Sequence, residues 1–217
     1  MRIESRLKGM ATRKLDVDRI KERTRALGPG TRVAVWFHGC PRKCPGCVAS
    51  EMNESADYVS FTPEELSARV LAVPDVEGVT ISGGEPFAQD VESMGLFLSA
   101  VRDADLSVMA YTGYLREELE SDAGKRALLR YVDILVDGPY VESEDHGEFW
   151  RGSANQRIHC LTDRYARLAE AVEGKKGRPL EFEFGEGLNF SFTGIPPAGF
   201  RDRLAERFGQ KGLEVKW

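Results

Sequence analysis

Three of the four cysteines in this 217-residue chain fall within eight positions, Cys40, Cys44 and Cys47, in the run Gly39-Cys-Pro-Arg-Lys-Cys-Pro-Gly-Cys47. A C-x3-C-x2-C spacing is a poor layout for a disulfide framework, and a chain of this length buries enough core to need no staples. Metal ligation fits better. Pro41, Pro45 and Gly46 make a compact loop that bends three thiolates around one centre, one donor short of a closed site. A four-iron cubane held by three cysteines has one iron without a protein ligand, open to a substrate or cofactor. Two other readings stay open on spacing alone: a Cys3His zinc site with His38 as fourth donor, and three buried cysteines without metal.

A second group, Ser82-Gly83-Gly84-Glu85-Pro86, follows a predicted strand, where two glycines let a ligand approach the backbone closely. Zinc would not need it, so the two motifs together favour the open cluster. Cys160 and His159 have no partner at ligand spacing and read as packing residues.

These loops must be held by something, and the sequence supplies an alternation of strands and helices. The Gly28-Pro29-Gly30 turn releases the apolar run Val33–Phe37, a buried strand. Thr62 caps a helix with Pro63 at its first position and Glu65 closing a capping box, and Leu66, Val70 and Val73 form its stripe. A strand at 78–82 runs into the Gly-Gly pair, and Asp90 caps a helix with Val91, Met94, Leu98 and Val101 on one face. Leu106–Tyr111 and Asp133–Val136 are further strands, separated by helical stretches at 115–119 and 127–130. Short strands apolar on both faces, alternating with helices, predict a mostly parallel α/β sheet with right-handed crossovers. Polar and glycine residues cluster after the strands, at the edge where parallel sheets bind ligands.

Past residue 161 the pattern changes. A helix at 164–172, a hairpin with Phe182/Phe184 and Phe190/Phe192 around Gly185-Glu186-Gly187, a helix at 200–208 and a last strand at 213–217 make a small α+β extension. The expected organisation is a basic N-terminal arm (1–25), a core (26–161) and the extension (162–217). Net charge is −5, with nine Lys/Arg against four Asp/Glu in residues 1–25 and three against sixteen in residues 51–122. Such runs usually mean solvated faces, and without interleaved aromatics or a known motif they do not support nucleic-acid binding. No membrane span or secretory signal is visible, so a cytoplasmic location is expected.

The combination of motifs resembles the radical S-adenosylmethionine (SAM) superfamily. It is most similar to the glycyl-radical-enzyme activases of the anaerobic ribonucleotide reductase type, through GPGTR (28–32), GCPRKCPGC (39–47), SGGEP (82–86), YTGY (111–114), LVDG (135–138) and WRGSANQR (150–157). The resemblance implies a partial (β/α) barrel with a 4Fe-4S cluster on Cys40, Cys44 and Cys47. It places SAM against Gly46, Cys47, Val48, Gly83, Gly84 and Glu85, with Thr112 and Asp137 as further contacts. It also implies the reaction: SAM chelates the open iron, the reduced cluster passes one electron to the sulfonium, and methionine and a 5′-deoxyadenosyl radical result. That radical would generate a glycyl radical on a large partner enzyme, with a low-potential donor such as flavodoxin or ferredoxin supplying the electron. The 150–157 stretch would close the active site against a partner or cap the last barrel strand. Val48 stands where an aromatic residue often follows the last cysteine, and the extension exceeds the compact family pattern. A radical SAM enzyme acting on another peptide or small molecule, and a non-catalytic zinc-binding module, are the alternatives.

Overall fold

The computed structural model describes residues 13–53, 56–186 and 189–215. In chain order the first elements are β1 (Leu15–Thr24), β2 (Arg32–Phe37), β3 (Val59–Phe61), α1 (Pro63–Leu71), β4 (Gly78–Gly83) and α2 (Val91–Asp103). They continue with β5 (Ser107–Tyr111), α3 (Arg116–Ser121), α4 (Ala123–Leu129), β6 (Ile134–Asp137), β7 (Arg157–Cys160) and α5 (Leu168–Val172). A hairpin, β8 (Leu180–Phe184) and β9 (Phe190–Gly194), and α6 (Phe200–Gly209) follow. The seven-stranded sheet has the order β3-β1-β2-β4-β5-β6-β7. Its centre, β2-β4-β5-β6, is parallel, and β1, β3 and β7 pair antiparallel at the flanks. The expected mixed α/β architecture with a mostly parallel central sheet is what forms.

Local chemistry explains the helices. Thr62 Oγ1 accepts from the Glu65 amide at 3.2 Å while the Glu65 carboxylate accepts from the Thr62 amide at 2.8 Å, so the capping box closes as its sequence predicts. Asp90 Oδ1 accepts from the Ser93 amide at 3.1 Å and starts α2. Leu66 and Val70 of α1 and Met94, Phe97, Leu98 and Val101 of α2 bury against Val33, Val35, Phe37, Val79, Ile81, Val108 and Ala110 on one face of the sheet. Alternation turns Ala34, Trp36, Met109, Ile134 and Val136 to the other face, where they pack with Met52, Trp150 and Val172.

Arg32 also points to that second face and is fully buried. Its guanidinium donates to Thr80 Oγ1, Ser107 Oγ and Val79 O at 2.8 Å each, to Ser107 O at 3.1 Å and to Pro29 O at 3.2 Å. Five donors thus meet five acceptors, which is what a buried guanidinium requires.

Three strands depart from the sequence expectation, and all three pair antiparallel. Residues 15–24, read as part of a basic arm, form β1, with Leu15 and Val17 buried against α1 and β2. Only those two positions alternate cleanly, and the charges that follow sit on a half-exposed strand, so the run looked like a solvated tail. The polar Arg157–Cys160 run and the exposed Val59 end of β3 are edge strands, which need little apolar pattern.

The extension differs in detail. The expected helix at 164–172 is a 3-10 turn, Asp163–Tyr165, followed by the short α5. The hairpin pairs Phe182 with Phe192 and Phe184 with Phe190. Gly187 of its expected turn, and residues 216–217 of the expected last strand, lie outside the described residues. Leu213 joins no strand because it completes the cap of α6. Its amide donates to Phe208 O at 3.0 Å and the Gly212 amide to Gly209 O at 2.9 Å, with Gly212 at φ +75°, a Schellman ending.

The fold assigns β1 to the core. Leu15→Ala is expected to cost about 2–5 kcal/mol in urea unfolding, the usual range for a buried leucine. A loss no larger than that of the half-exposed Leu96→Ala would show β1 to be a dispensable flank.

Candidate active site

The site sits where β2, β4, β5 and β6 end. Beyond Phe37 the chain turns at Gly39 and runs through the cysteine loop into a 3-10 turn, Ser50–Asn53. The loop is folded on itself: Cys47 N donates to Cys44 O at 3.2 Å, Ser50 N to Cys47 O at 3.1 Å, and Gly39 N to Met52 O at 3.1 Å. Beneath it lies the end of β4. Gly84 N donates to Phe37 O at 2.7 Å and Glu85 N to Gly39 O at 2.8 Å. A Cβ on Gly84 would stand 2.1 Å from Gly39 O, and one on Gly83, itself at φ +99°, 2.5 Å from Phe37 N. The two glycines are therefore demanded by backbone packed on backbone, independently of any ligand.

Cys40, Cys44 and Cys47 are half-buried free thiols facing one cavity of about 600 Å³. Gly46, Val48, Gly83, Gly84 and Thr112 line the same cavity, so the structure brings these expected site residues together. Burial pushes the Cys40 and Cys47 thiols up, and the neighbouring thiols push the same way. A ligating iron reverses that balance, because a coordinating thiol is deprotonated outright. His38 is directed elsewhere: its Nδ1 lies 3.1 Å from Asp18 Oδ1 and its ring stacks on Tyr58 at 4.2 Å. Among the described residues no three His, Cys, Asp or Glu side chains stand close enough to hold a single metal ion. The donor set on the cavity is three thiols and no imidazole, which fits an open cluster.

Two expected contacts turn away from the cavity. Glu85 is fully buried, its Oε1 accepting from Thr112 Oγ1 at 2.8 Å and Phe87 N at 3.1 Å, and its Oε2 from Gly113 N at 2.8 Å. Burial pushes Glu85 up to about 7, against the lowering effects of the Gly113 amide, the Thr112 hydroxyl and the Phe87 amide. Asp137 accepts from Arg116 N at 2.6 Å and from Arg157 Nε at 3.0 Å, and His159 Nε2 lies 3.1 Å from its Oδ1. Burial pushes Asp137 up, but His159, Arg157 and the Arg116 amide outweigh it and hold it well below the usual carboxylate range. Both carboxylates fasten strand ends: Glu85 ties β4 to β5, and Asp137 ties β6 to α3 and β7. His159, expected as a packing residue, is part of that tie, whereas Cys160 is a half-buried free thiol in β7.

Further residues come from the 111–114 and 150–157 stretches that the sequence singled out. Gln156 Nε2 donates to Gly138 O at 2.9 Å and its Oε1 accepts from Gly152 N at 2.7 Å, while Asn155 Nδ2 donates to Pro139 O at 2.8 Å. The 150–157 stretch therefore caps the end of β6, and Gly152 and Gln156 also line the cavity. Tyr111 lines it too, and its buried hydroxyl finds no hydrogen-bond partner among the described residues. Burial raises its pKa, which keeps the hydroxyl neutral. Residues 195–202 of the extension form another side.

A mostly parallel α/β sheet that carries a three-thiol loop at the carboxyl ends of its strands defines an iron–sulfur domain. The chain belongs to the 4Fe-4S single cluster domain family, whose model matches residues 26–159. It is similar to the anaerobic ribonucleoside-triphosphate reductase-activating protein of Enterobacteria phage T4, with 31% identity over 154 residues that cover 69% of this chain and 96% of the relative. The protein of the same name from Vibrio cholerae is 33% identical over 143 residues, 62% of this chain and 91% of that one. The Haemophilus influenzae protein is 34% identical over 140 residues, covering 61% and 89%.

Two outcomes follow from the geometry. Gly84→Val is expected to lower both iron uptake and thermal stability, because the side chain displaces Gly39 beside Cys40; full iron loading at an unchanged melting temperature would show that the loop does not rest on β4. Glu85 holds its proton more tightly folded than unfolded, so its contribution to stability falls as pH rises from 4.5 towards about 7. That decline is on the order of 3 kcal/mol. The wild-type advantage over Glu85→Gln in urea unfolding should therefore shrink across this window. A gap independent of pH would mean that the carboxyl titrates alike in both states.

Proposed function

We propose that this chain is a radical SAM activase that generates a glycyl radical on a partner enzyme, most like the activases of anaerobic ribonucleotide reductase. The observation that carries the reading is the meeting of three thiols and the Gly83-Gly84 strand end on one cavity, in a chain whose relatives bear the activating-protein name. Cys40, Cys44 and Cys47 would hold the 4Fe-4S cluster. Bound together, the reduced cluster and SAM supply a one-electron cleavage that gives methionine and a 5′-deoxyadenosyl radical.

The protein's own part is to orient and to exclude. Gly83 and Gly84 bring β4 under the cysteine loop, so the backbone at the end of that strand faces the open side of the thiol triad. Gly46 and Val48 from the loop, with Thr112 at the end of β5, form the nearby walls against which the methionyl and adenosyl parts of SAM would rest. The Thr112 hydroxyl is spent on Glu85, so Thr112 offers its backbone and methyl surface. Tyr111 adds an aromatic wall. Asp137 and Glu85, read from sequence as direct SAM contacts, act in this proposal as ties that fix the strand ends, and Gly138 reaches the cavity where Asp137 does not. The sheet would be the partial (β/α) barrel of the radical SAM fold. A low-potential flavodoxin or ferredoxin would deliver the electron, and the partner would be a large glycyl-radical enzyme in the cytoplasm. Among the described residues no helix is long and apolar enough to cross a membrane.

The deciding experiment is anaerobic reconstitution. The chain should take up about four irons with broad charge-transfer absorbance, and Ala at Cys40, Cys44 or Cys47 should abolish it, whereas Cys160→Ser should not. Reduced enzyme with SAM should then release 5′-deoxyadenosine and raise a glycyl-radical signal in the partner. A colourless protein holding one zinc would overturn the reading at its root. SAM cleavage with no radical on any glycyl-radical partner would leave the cluster chemistry standing and move the substrate to another peptide or small molecule.

A further inference from the structure

The family match ends at residue 159, yet one side of the cavity is built from residues 195–202. That segment is anchored from behind by an ion pair that is almost wholly buried, Arg178 with Asp145 at 2.6 Å. Arg178 also donates to Gly152 O at 2.6 Å and Pro196 O at 3.2 Å, and Ala198 N donates to Asp145 at 3.2 Å. Its front touches the cysteine loop in two places. Ile195 packs into the cluster of Ala34, Trp36 and Met52. Arg201 donates two hydrogen bonds to the Glu51 carboxylate, at 2.7 and 2.8 Å, and each partner shifts the other's pKa in the direction an ion pair dictates.

Glu51 and Met52 are not arbitrary surface residues. They lie in the 3-10 turn that follows Cys47, and Met52 O accepts from Gly39 N, directly before Cys40. The two ends of the cysteine loop therefore meet at Met52, a member of the apolar cluster on which Ile195 packs. We propose that residues 195–201 are a positioning clamp on the cysteine loop, working through Arg201 on Glu51 and Ile195 on the apolar cluster that includes Met52, a role that rests on the iron–sulfur reading for its purpose. The β4 strand end supports the loop from below, through Gly84 and Glu85. The clamp supports it from the opposite end of the loop, and it comes from a part of the chain that the family match does not include. Its effect is to restrict the excursions by which a thiolate leaves its iron and solvent enters the cluster's edge.

The test uses the full chain with Arg201→Glu, which sets two carboxylates against each other, and Arg201→Lys, which keeps the charge but not the bidentate fork. Arg19 bears on the same Glu51 carboxylate, so a reversed pair would face a new repulsion and is a poorer control. Two readouts are needed: hydrogen exchange of amides 38–53 in metal-free protein, and the rate at which an iron chelator bleaches the reconstituted cluster. Arg201→Glu should speed both by about two- to five-fold, the factor available from an exposed bidentate pair, with Arg201→Lys in between. Exchange and bleaching at the wild-type rate in Arg201→Glu would overturn the clamp. So would exchange that rises equally throughout the sheet, since that is general destabilisation. If the wild-type chain never loads iron, the iron–sulfur reading fails, and the exchange of the metal-free loop still decides whether the clamp exists.

Discussion

Two backbone hydrogen bonds, Gly84 N to Phe37 O and Glu85 N to Gly39 O, fasten the end of β4 to the base of the cysteine loop, and the organisation of the site depends on them. They form only because neither Gly83 nor Gly84 carries a Cβ, which would otherwise lie within about 2–2.5 Å of main-chain atoms of Phe37 and Gly39. Parallel register brings Phe37 opposite Gly83, so the loop leaving β2 and the loop leaving β4 are committed to the same space. The sheet, with α1 and α2 packed on one face, supplies a rigid floor. A loop with three thiols and little regular structure can then hold one shape without a core of its own.

The carboxylates at the strand ends extend the same logic. Glu85 and Asp137 are buried acids, and each would be costly there without partners. Glu85 meets three donors from the β4–β5 crossing, and Asp137 meets Arg157, His159 and the first amide of α3. Buried carboxyl groups are used here to fix where loops leave the sheet. Geometry accuracy at a reactive centre comes from such supporting contacts as much as from the groups that touch the ligand.

This explains which parts were legible in the sequence. The central strands were readable because burial on both faces leaves continuous apolar runs, as in Val33–Phe37, and α1 and α2 because Thr62, Glu65 and Asp90 announce their starts. β1 and β7 were not, since Leu15–Thr24 and Arg157–Cys160 owe their place to pairing partners far along the chain. Cys40, Cys44, Cys47 and the Gly-Gly pair stood out because metal ligation and close backbone approach restrict residue type. For Glu85 and Asp137 the position was readable and the direction of the side chain was not. An acid after a strand can face a ligand or a neighbouring loop, and only the partners that arrive from Gly113, Arg116 and Arg157 decide between them.

The extension shows why function is hard to read from local pattern alone. Alternation in Leu180–Phe184 predicts a hairpin and leaves open what its aromatic face meets. Phe182 and Phe192 meet Phe200, and Phe190 meets Phe208, so α6 of the same unit packs on part of the aromatic face while Phe184 stays exposed. The opposite face carries Glu181, which accepts from Arg25 N at 2.8 Å, and Glu183, which pairs with Lys21. The unit thus holds together through ring contacts on a largely exposed face and meets β1 through charge. Exposed ion pairs give register more than stability. A unit held in this way can be set against the cavity in a defined position without merging into the core, and the buried Arg178–Asp145 pair then carries that position through to the segment beside the thiols.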